Sequence, residues 1–303
     1  MSHKPQIELT HKLIDIMPNK NLDNIFYVNS GSEATDNAIK IARSYTGKHN
    51  IIGMQRGFHG RTLAALSITS SNNIYKSKIQ SLVPGMFFCH DFTIESLMNV
   101  LEYNTSPNDT AAIMLEPVLG EGGIFSIPKS FLKEVSAFAK ENNILVIADE
   151  VQCGSGRTGT WWNVEQKQIQ PDILTFGKGI ASGFPLAAVA ATSEIMNSLD
   201  PGTLGGTYGG NVMATIATSI TIDVINDENL LENTNIMGNL LKSELEHLDK
   251  VKEVRQYGLM IGIEFVEGIN VPNIVDRLRS LNVLVLMAGN KQQYMRLLPP
   301  MII

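Results

Sequence analysis

Cysteine is scarce in this chain: Cys89 and Cys153 are the only two among 303 residues. Two thiols cannot build a disulfide framework, and together with six histidines in no ligand-like spacing they offer no clustered metal site, so no metal is expected and a reducing compartment suits the chain. Long apolar runs are lacking too, which excludes a bilayer-spanning helix. The first residues, Met1-Ser2-His3-Lys4-Pro5-Gln6, have none of the apolar core of a secretory signal, so the expected location is cytoplasmic, away from any membrane. Positive charge is not in excess: 24 Lys and Arg stand against 30 Asp and Glu, a net charge of -6 that gives no sign of nucleic-acid binding. Internal repeats and low-complexity stretches are also missing. What is present is 44% hydrophobic and 18% charged, an ordinary globular composition long enough for one large domain and a smaller one.

Strand-like and helix-like segments alternate from about residue 25 to 225. Apolar runs predict strands over 25–28, 51–54, 111–115, 144–148, 173–176 and 186–191. Between them, Ala34, Ala38, Ile41, Ala42 and Tyr45 share one helical face, and 130–141 reads as a helix with Ser130 as its N-cap. Near-continuous apolar strands alternating with amphipathic helices mean a mostly parallel sheet covered on both faces. After Ile225 the pattern changes. A polar stretch over 226–229 leads into a helix reaching Leu248, followed by a strand over 260–266, a helix over 272–281 and strands over 283–286 and 294–298. The expected division is a large domain over 1–225 and a smaller α+β unit over 226–303.

The chemistry-bearing residues cluster at strand ends. The run over 144–148 ends in Asp149-Glu150-Val151-Gln152, and that over 173–176 in Gly177-Lys178-Gly179. Open α/β sheets bind ligands at the carboxyl ends of their strands. A lysine able to form a Schiff base, with an aspartate placed to pair a pyridinium nitrogen, is what pyridoxal phosphate (PLP) chemistry requires. Asn29-Ser30-Gly31-Ser32-Glu33-Ala34 joins the first strand to the first predicted helix, where free N–H groups and the helix dipole suit an anion; alone it would pass as an ordinary Ser/Gly cap. Gly57-Phe58-His59-Gly60-Arg61-Thr62 sets a ring that could stack on a flat cofactor beside an arginine that could clamp a carboxylate. Glu116 and Glu121 lie in a Gly-rich loop, Thr207 in a second one, Gly205-Gly206-Thr207-Tyr208-Gly209-Gly210-Asn211, and Arg296 at the end of a small-unit strand. Gly154-Ser155-Gly156-Arg157-Thr158-Gly159 matches the dinucleotide fingerprint, with Asp172 near the spacing of the ribose acid, but it neither follows a strand directly nor opens an apolar helix, so a nicotinamide dehydrogenase is a remote reading.

In their order and content these stretches resemble the class III PLP-dependent aminotransferases. The match runs through Ser30-Gly31-Ser32-Glu33-Ala34, Phe58-His59-Gly60-Arg61-Thr62, Glu116-Pro117-Val118, Asp149-Glu150-Val151-Gln152, Gly156-Arg157-Thr158-Gly159, Gly177-Lys178-Gly179, Gly206-Thr207-Tyr208-Gly209-Gly210-Asn211 and Arg296-Leu297-Leu298-Pro299-Pro300. The resemblance implies a PLP-dependent transferase of fold type I, with a seven-stranded sheet between helices. Lys178 would hold PLP as an internal aldimine and move the proton, and Asp149 would keep the pyridine nitrogen protonated. Gln152 would approach the ring hydroxyl, Val151 and Phe58 would flank the ring, and Gly31 and Ser32 would take the phosphate. His59 and Glu116 count among the cofactor-binding residues. Thr207 would reach the phosphate of a neighbouring subunit, so a homodimer is implied.

The wording around Thr207 is most like that of 4-aminobutyrate and other ω-amino-acid aminotransferases. In that group the position of Arg61 binds the carboxylate of the ω-amino acid, that of Arg296 binds the α-carboxylate of glutamate, and that of Glu121 pairs with Arg296 when the ω-amino acid is bound. The implied reaction is a ping-pong transfer from 4-aminobutyrate to a 2-oxo acid such as 2-oxoglutarate. An acetylornithine or ornithine aminotransferase is the nearest alternative. Relative to the family the chain looks trimmed at both ends, Leu119 stands where glutamine is common, and Gln256-Tyr257 replace a Gly-containing turn, so a PLP-binding chain without catalysis is a further alternative.

Overall fold

The structure, a computed structural model, describes residues 3–79 and 81–303. In chain order the elements are α1 (Lys4–Ile16), β1 (Asn24–Val28), α2 (Gly31–Thr46), β2 (Asn50–Met54), α3 (Leu63–Ile68), β3 (Met86–Cys89), α4 (Ile94–Tyr103), β4 (Thr110–Leu115), the short strands β5 (Val118–Leu119) and β6 (Phe125–Ser126), α5 (Lys129–Glu141), β7 (Leu145–Asp149), α6 (Asn163–Lys167), β8 (Ile173–Phe176), β9 (Ala187–Ala191) and α7 (Ser193–Asn197). They continue through α8 (Val212–Asp227), α9 (Leu230–Glu246), β10 (Val251–Tyr257), β11 (Met260–Phe265), α10 (Val271–Ser280), β12 (Leu286–Ala288) and β13 (Tyr294–Leu297).

Seven strands form the main sheet in the order β1-β9-β8-β7-β4-β2-β3. β9 runs antiparallel to both of its neighbours, β1 and β8, and the remaining pairs are parallel. Strands β4, β7, β8 and β9 are buried along their whole length. That burial follows from apolar side chains on both faces: the set with Ile113, Leu115, Val146, Leu174 and Phe176 packs on one side, and the set with Met114, Leu145, Ile147, Ile173 and Val189 packs on the other, under α2. A second, four-stranded antiparallel sheet, β10-β11-β13-β12, holds its own core of Val254, Ile261, Ile263, Val275 and Met295. The fold is therefore α/β, with a mainly parallel central sheet and a separate antiparallel one.

Several sequence expectations are corrected. α5 begins at Lys129 behind Pro128, whose φ of -57° already suits a helix start, so Ser130 lies inside the helix and is not its N-cap. The polar stretch over 226–229 does lead into a helix, α9, which begins at Leu230 behind Asn229 with φ 52° but ends at Glu246 short of Leu248, while α8 runs into the stretch as far as Asp227. Ile225 thus lies inside α8. The strand expected over 283–286 lies instead over Leu286–Ala288, because Val283 and Leu284 are exposed and only residues 286–288 find partners on β13. Gln256 and Tyr257 belong to β10 and the turn falls at Gly258. Elements α1, α3, β3, α4, β5, β6, α6, α7, α8 and β10 are added to those the sequence predicted. Among the described residues, no helix is long and apolar enough to cross a membrane.

Candidate active site

Two cavities share the carboxyl ends of the central strands. The smaller, about 140 Å³, is lined by Ser30, Gly31, Ser32, Phe58, His59, Gly60, Glu116, Asp149, Val151, Gln152 and Lys178. The larger, about 1010 Å³, shares Ser32, Phe58, Val151, Gln152 and Lys178 with it and adds Arg61, Glu121 and Arg296. Nearly all the residues singled out in the sequence therefore meet in one place. Thr207 does not join them: it is exposed in a separate groove beside His3, Gln6 and Tyr208.

Asp149 is the last residue of β7. Its Oδ1 accepts the Val151 N–H at 3.0 Å, and its Oδ2 lies 2.7 Å from His59 Nδ1, with both side chains buried. Burial alone would push the His59 imidazolium toward losing its proton, but the hydrogen bond and charge of Asp149, aided by Glu116, outweigh that and raise its pKa. Glu116 follows β4 and is itself buried. Its Oε1 accepts the Phe58 N–H at 2.8 Å and its Oε2 accepts the Gly120 N–H at 3.1 Å, so one carboxyl ties together the loops that carry Phe58 and Glu121. Burial, opposed by His59 and reinforced by Asp149, pushes the Glu116 carboxyl up to about 7.

α2 starts at Gly31, with Ser30 capping the Glu33 N–H and Glu33 Oε2 accepting the Asn29 N–H at 2.8 Å. Its N-terminus opens on the smaller cavity, the arrangement that favours an anion. A Cβ on Gly31 would lie 2.7 Å from Val151 Cγ1, and one on Gly60, whose φ is +137°, would run into Ser32 Oγ. Lys178 opens a short 3₁₀ turn just after β8, held at φ 49°, and its side chain is exposed between the two cavities.

Arg61 lies exposed over the Phe58 and Tyr75 rings, 5.8 and 4.9 Å from their centroids. Tyr75, 5.5 Å from Phe58 edge-on, comes from a short turn that carried no signal in the sequence. Arg296, by contrast, is buried, on β13, and its Nη2 lies 2.9 Å from Glu121 Oε1. Glu150, which the sequence pattern did not distinguish from its neighbour, is fully buried away from the cavities: its carboxyl accepts from the Val164 N–H at 2.7 Å and from the Cys153 thiol at 3.0 Å.

Gly154, Gly156 and Gly159 lie in turns, packed on Trp162, Met301 and Asn235 respectively, and Asp172 accepts the Val146 N–H to join two strands. Neither does what a dinucleotide site needs.

The residues present fit pyridoxal phosphate. Gln152 Oε1 is buried without a hydrogen-bond partner among the described residues, as a group awaiting a ring hydroxyl would be. The cavity also offers a helix N-terminus of small residues for a phosphate, a buried carboxylate for a pyridinium nitrogen, and an amine beside them. The aminotransferase class-III family model matches residues 1–303. The 5-aminovalerate aminotransferase of Pseudomonas putida is 37% identical, the match covering 99% of this chain and 76% of the relative. The 4-aminobutyrate aminotransferase of Escherichia coli is 36% identical over 100% and 76%, and the acetylornithine aminotransferase of Methanothermobacter thermautotrophicus is 38% identical over 99% and 75%. Among solved structures, the taurine:2-oxoglutarate aminotransferase of Bifidobacterium kashiwanohense, in complex with PLP and glutamate, superposes with a TM-score of 0.91 at 25% identity, covering 100% of this chain and 76% of that one. With the chain matched from end to end and the cavity suited to the family's cofactor, the chain belongs to the class III aminotransferases, enzymes that use pyridoxal phosphate.

Proposed function

We propose that the chain transfers the amino group of an ω-amino acid, 4-aminobutyrate first among them, to a 2-oxo acid such as 2-oxoglutarate, in a ping-pong cycle. The observation that carries this reading is the state of the three arginines lining one cavity: Arg157 is tied to the Leu259 and Pro299 carbonyls, Arg296 is buried under Glu121 at 2.9 Å, and Arg61 is exposed. An ω-amino acid brings one carboxylate, far from its amine. Glutamate and 2-oxoglutarate bring two. With Glu121 on Arg296 and Arg157 held by two backbone carbonyls, Arg61 is the arginine left for the single carboxylate; a dicarboxylate's second group can displace Glu121 and take Arg296 in a charge-assisted pair. The same site then serves both half-reactions.

Bound pyridoxal phosphate supplies the electron sink that lets the amine-bearing carbon lose its proton. Lys178 anchors the cofactor and is the base that takes up that proton and returns it. Asp149, held by His59 and the Val151 N–H, would present its carboxylate to the pyridinium nitrogen. Gln152 would face the ring hydroxyl, Phe58 and Val151 would flank the ring, and Gly31, Ser32 and the start of α2 would hold the phosphate. Thr207, set apart from these residues, serves the phosphate site of a second copy, which makes the working unit a homodimer.

Relatives named for 5-aminovalerate and 4-aminobutyrate support the ω-amino acid as donor, but the acetylornithine relative is equally similar, so identity does not separate the two readings. The visible spectrum of the PLP-loaded protein does. A yellow band that fades with 4-aminobutyrate or 5-aminovalerate, returns with 2-oxoglutarate, and is absent in Lys178→Ala is the expected result. Fading with N-acetylornithine or ornithine alone would reassign the donor. A Lys178-dependent band that no donor alters would show a PLP-binding chain without catalysis.

A further inference from the structure

The pairing of Arg296 with Glu121 depends on how the loop carrying Glu121 is seated, and the small sheet seats it between two arginines. In the register of that sheet, Arg255 on β10 lies opposite Gly262 on β11, and Gly262 lies opposite Arg296 on β13. Directly opposed residues of antiparallel strands put their side chains on the same face, so Arg255 and Arg296 stand on one row with Gly262 between them. Gly262 has no side chain, and the loop fills the slot: a Cβ there would lie 2.7 Å from Ile124 Cβ and 2.8 Å from the Gly123 carbonyl oxygen.

Arg255 grips this loop. It is buried, its Nε donates to the Gly123 carbonyl at 3.3 Å, and its guanidinium lies 4.1 Å from the Phe125 centroid and 4.7 Å from that of Tyr294. Glu264 on β11 holds Nη1 at 2.9 Å, and Glu253 holds it from the same strand. The Gly289 N–H completes the seat by donating to the Glu121 carbonyl at 2.9 Å. The small sheet thus contacts the loop at the Glu121 backbone and at the three residues Gly123, Ile124 and Phe125 that follow, while the Glu121 side chain pairs with the other arginine of the row.

We propose that Arg255 is a positioning residue that sets how firmly Glu121 covers Arg296, and so sets the enzyme's discrimination between substrates with one carboxylate and those with two. The inference rests on the reading of Arg61 and Arg296 given above. Loosening the grip frees Glu121, leaves Arg296 open, and favours dicarboxylates.

The test is binding without chemistry. Glutarate, which has two carboxylates, and valerate, which has one, are titrated calorimetrically into the PLP-loaded wild-type protein and into Glu121→Ala, Arg255→Lys and Gly262→Ala. Arg255→Lys keeps the charge beside Glu264 but loses the planar stack on Phe125 and Tyr294. Gly262→Ala pushes the loop from the opposite side of the slot. Each is expected to raise the preference for glutarate over valerate about five-fold, the worth of one hydrogen bond or ring contact. A preference that stays at the wild-type value in both variants, or moves toward valerate, overturns the role of Arg255. Glu121→Ala isolates the underlying reading: if it fails to raise the glutarate preference, the fault lies in the ion-pair account of the site. If it succeeds while Arg255→Lys and Gly262→Ala do not, the fault lies with Arg255. A role in general stability alone would weaken both ligands together and leave their ratio unchanged.

Discussion

Replacing Glu150 by glutamine should flatten the dependence of stability on pH. Glu150 is fully buried, and burial raises its carboxyl from the ordinary 4.5 to about 7, against the hydrogen bonds from the Cys153 thiol and the Val164 N–H that pull it down. Between those two values the folded chain holds a proton that the unfolded chain has released. Stability therefore falls as pH rises through that window and is flat, for this group, beyond it. At ~1.4 kcal/mol for each pH unit, the buried carboxyl lowers stability by about 3 kcal/mol across the window. The amide of Glu150→Gln keeps an acceptor for the Val164 N–H and never ionises, so the stability of this variant relative to the wild type should climb by about 3 kcal/mol from the acid side of the window to about pH 8.

Other groups titrate in the same direction. Glu116 is also raised to about 7, and His59, raised by Asp149, contributes stability that is lost as pH climbs through its folded value. Both are present in the wild type and in the variant, so they cancel in the difference. The assay is urea unfolding of the cofactor-free proteins at a series of pH values, followed by far-ultraviolet circular dichroism and by tryptophan fluorescence, with coincident curves required before free energies are compared. Profiles that stay parallel within about 0.5 kcal/mol would show that Glu150 ionises in the folded chain as it does in water, and would refute the reasoning.

Gly120→Ala should weaken PLP binding about ten-fold or more, because its Cβ would run into Gln152 Oε1 and drive that side chain from the cofactor cavity; cofactor affinity is read by absorbance titration. Trp162→Phe should lower stability by about 1–3 kcal/mol, since the fully buried indole donates to the Ile16 carbonyl at 2.6 Å and ties the end of α1 to the core. Hydrogen exchange over residues 4–16 should rise in that variant more than exchange in β7.

The central sheet was legible because its strands are apolar on both faces and need no partner to declare them: the runs over 111–115, 144–148 and 173–176 read as strands from their apolar content. The direction of β9 was not, since Ala187–Ala191 is as apolar as its parallel neighbours and nothing local records that it runs the other way. Helix α1 escaped because Leu9 and Leu13 alone are buried within it, too sparse a stripe to stand out.

The same reasoning explains which site residues could be read. Lys178 and Asp149 each stand at a strand end, where a polar residue after an apolar run is conspicuous, and a glycine-lined turn marks the anion site. Glu150 sits in the same conspicuous position but serves a different purpose, because successive residues leaving a strand point in opposite directions. Asp149 reaches His59 and the cavity, while Glu150 reaches Val164 and Cys153 on the far side. One motif thus holds a residue lining the candidate cofactor cavity and a buried pH-sensitive group side by side, and only the direction of each side chain separates them. Arg255 was hidden more deeply. It is a charged residue on the covered face of β10, so it breaks the alternation by which the strand would have been recognised. Its burial is tolerable only because Glu264, Glu253, the Gly123 carbonyl and two aromatic rings surround it, and of these only Glu253 is near it in sequence. The residue that breaks the strand pattern is the one placed, by register across Gly262, to act on Arg296; a departure from local sequence rules at that point coincides with a contact between the small sheet and the substrate cavity.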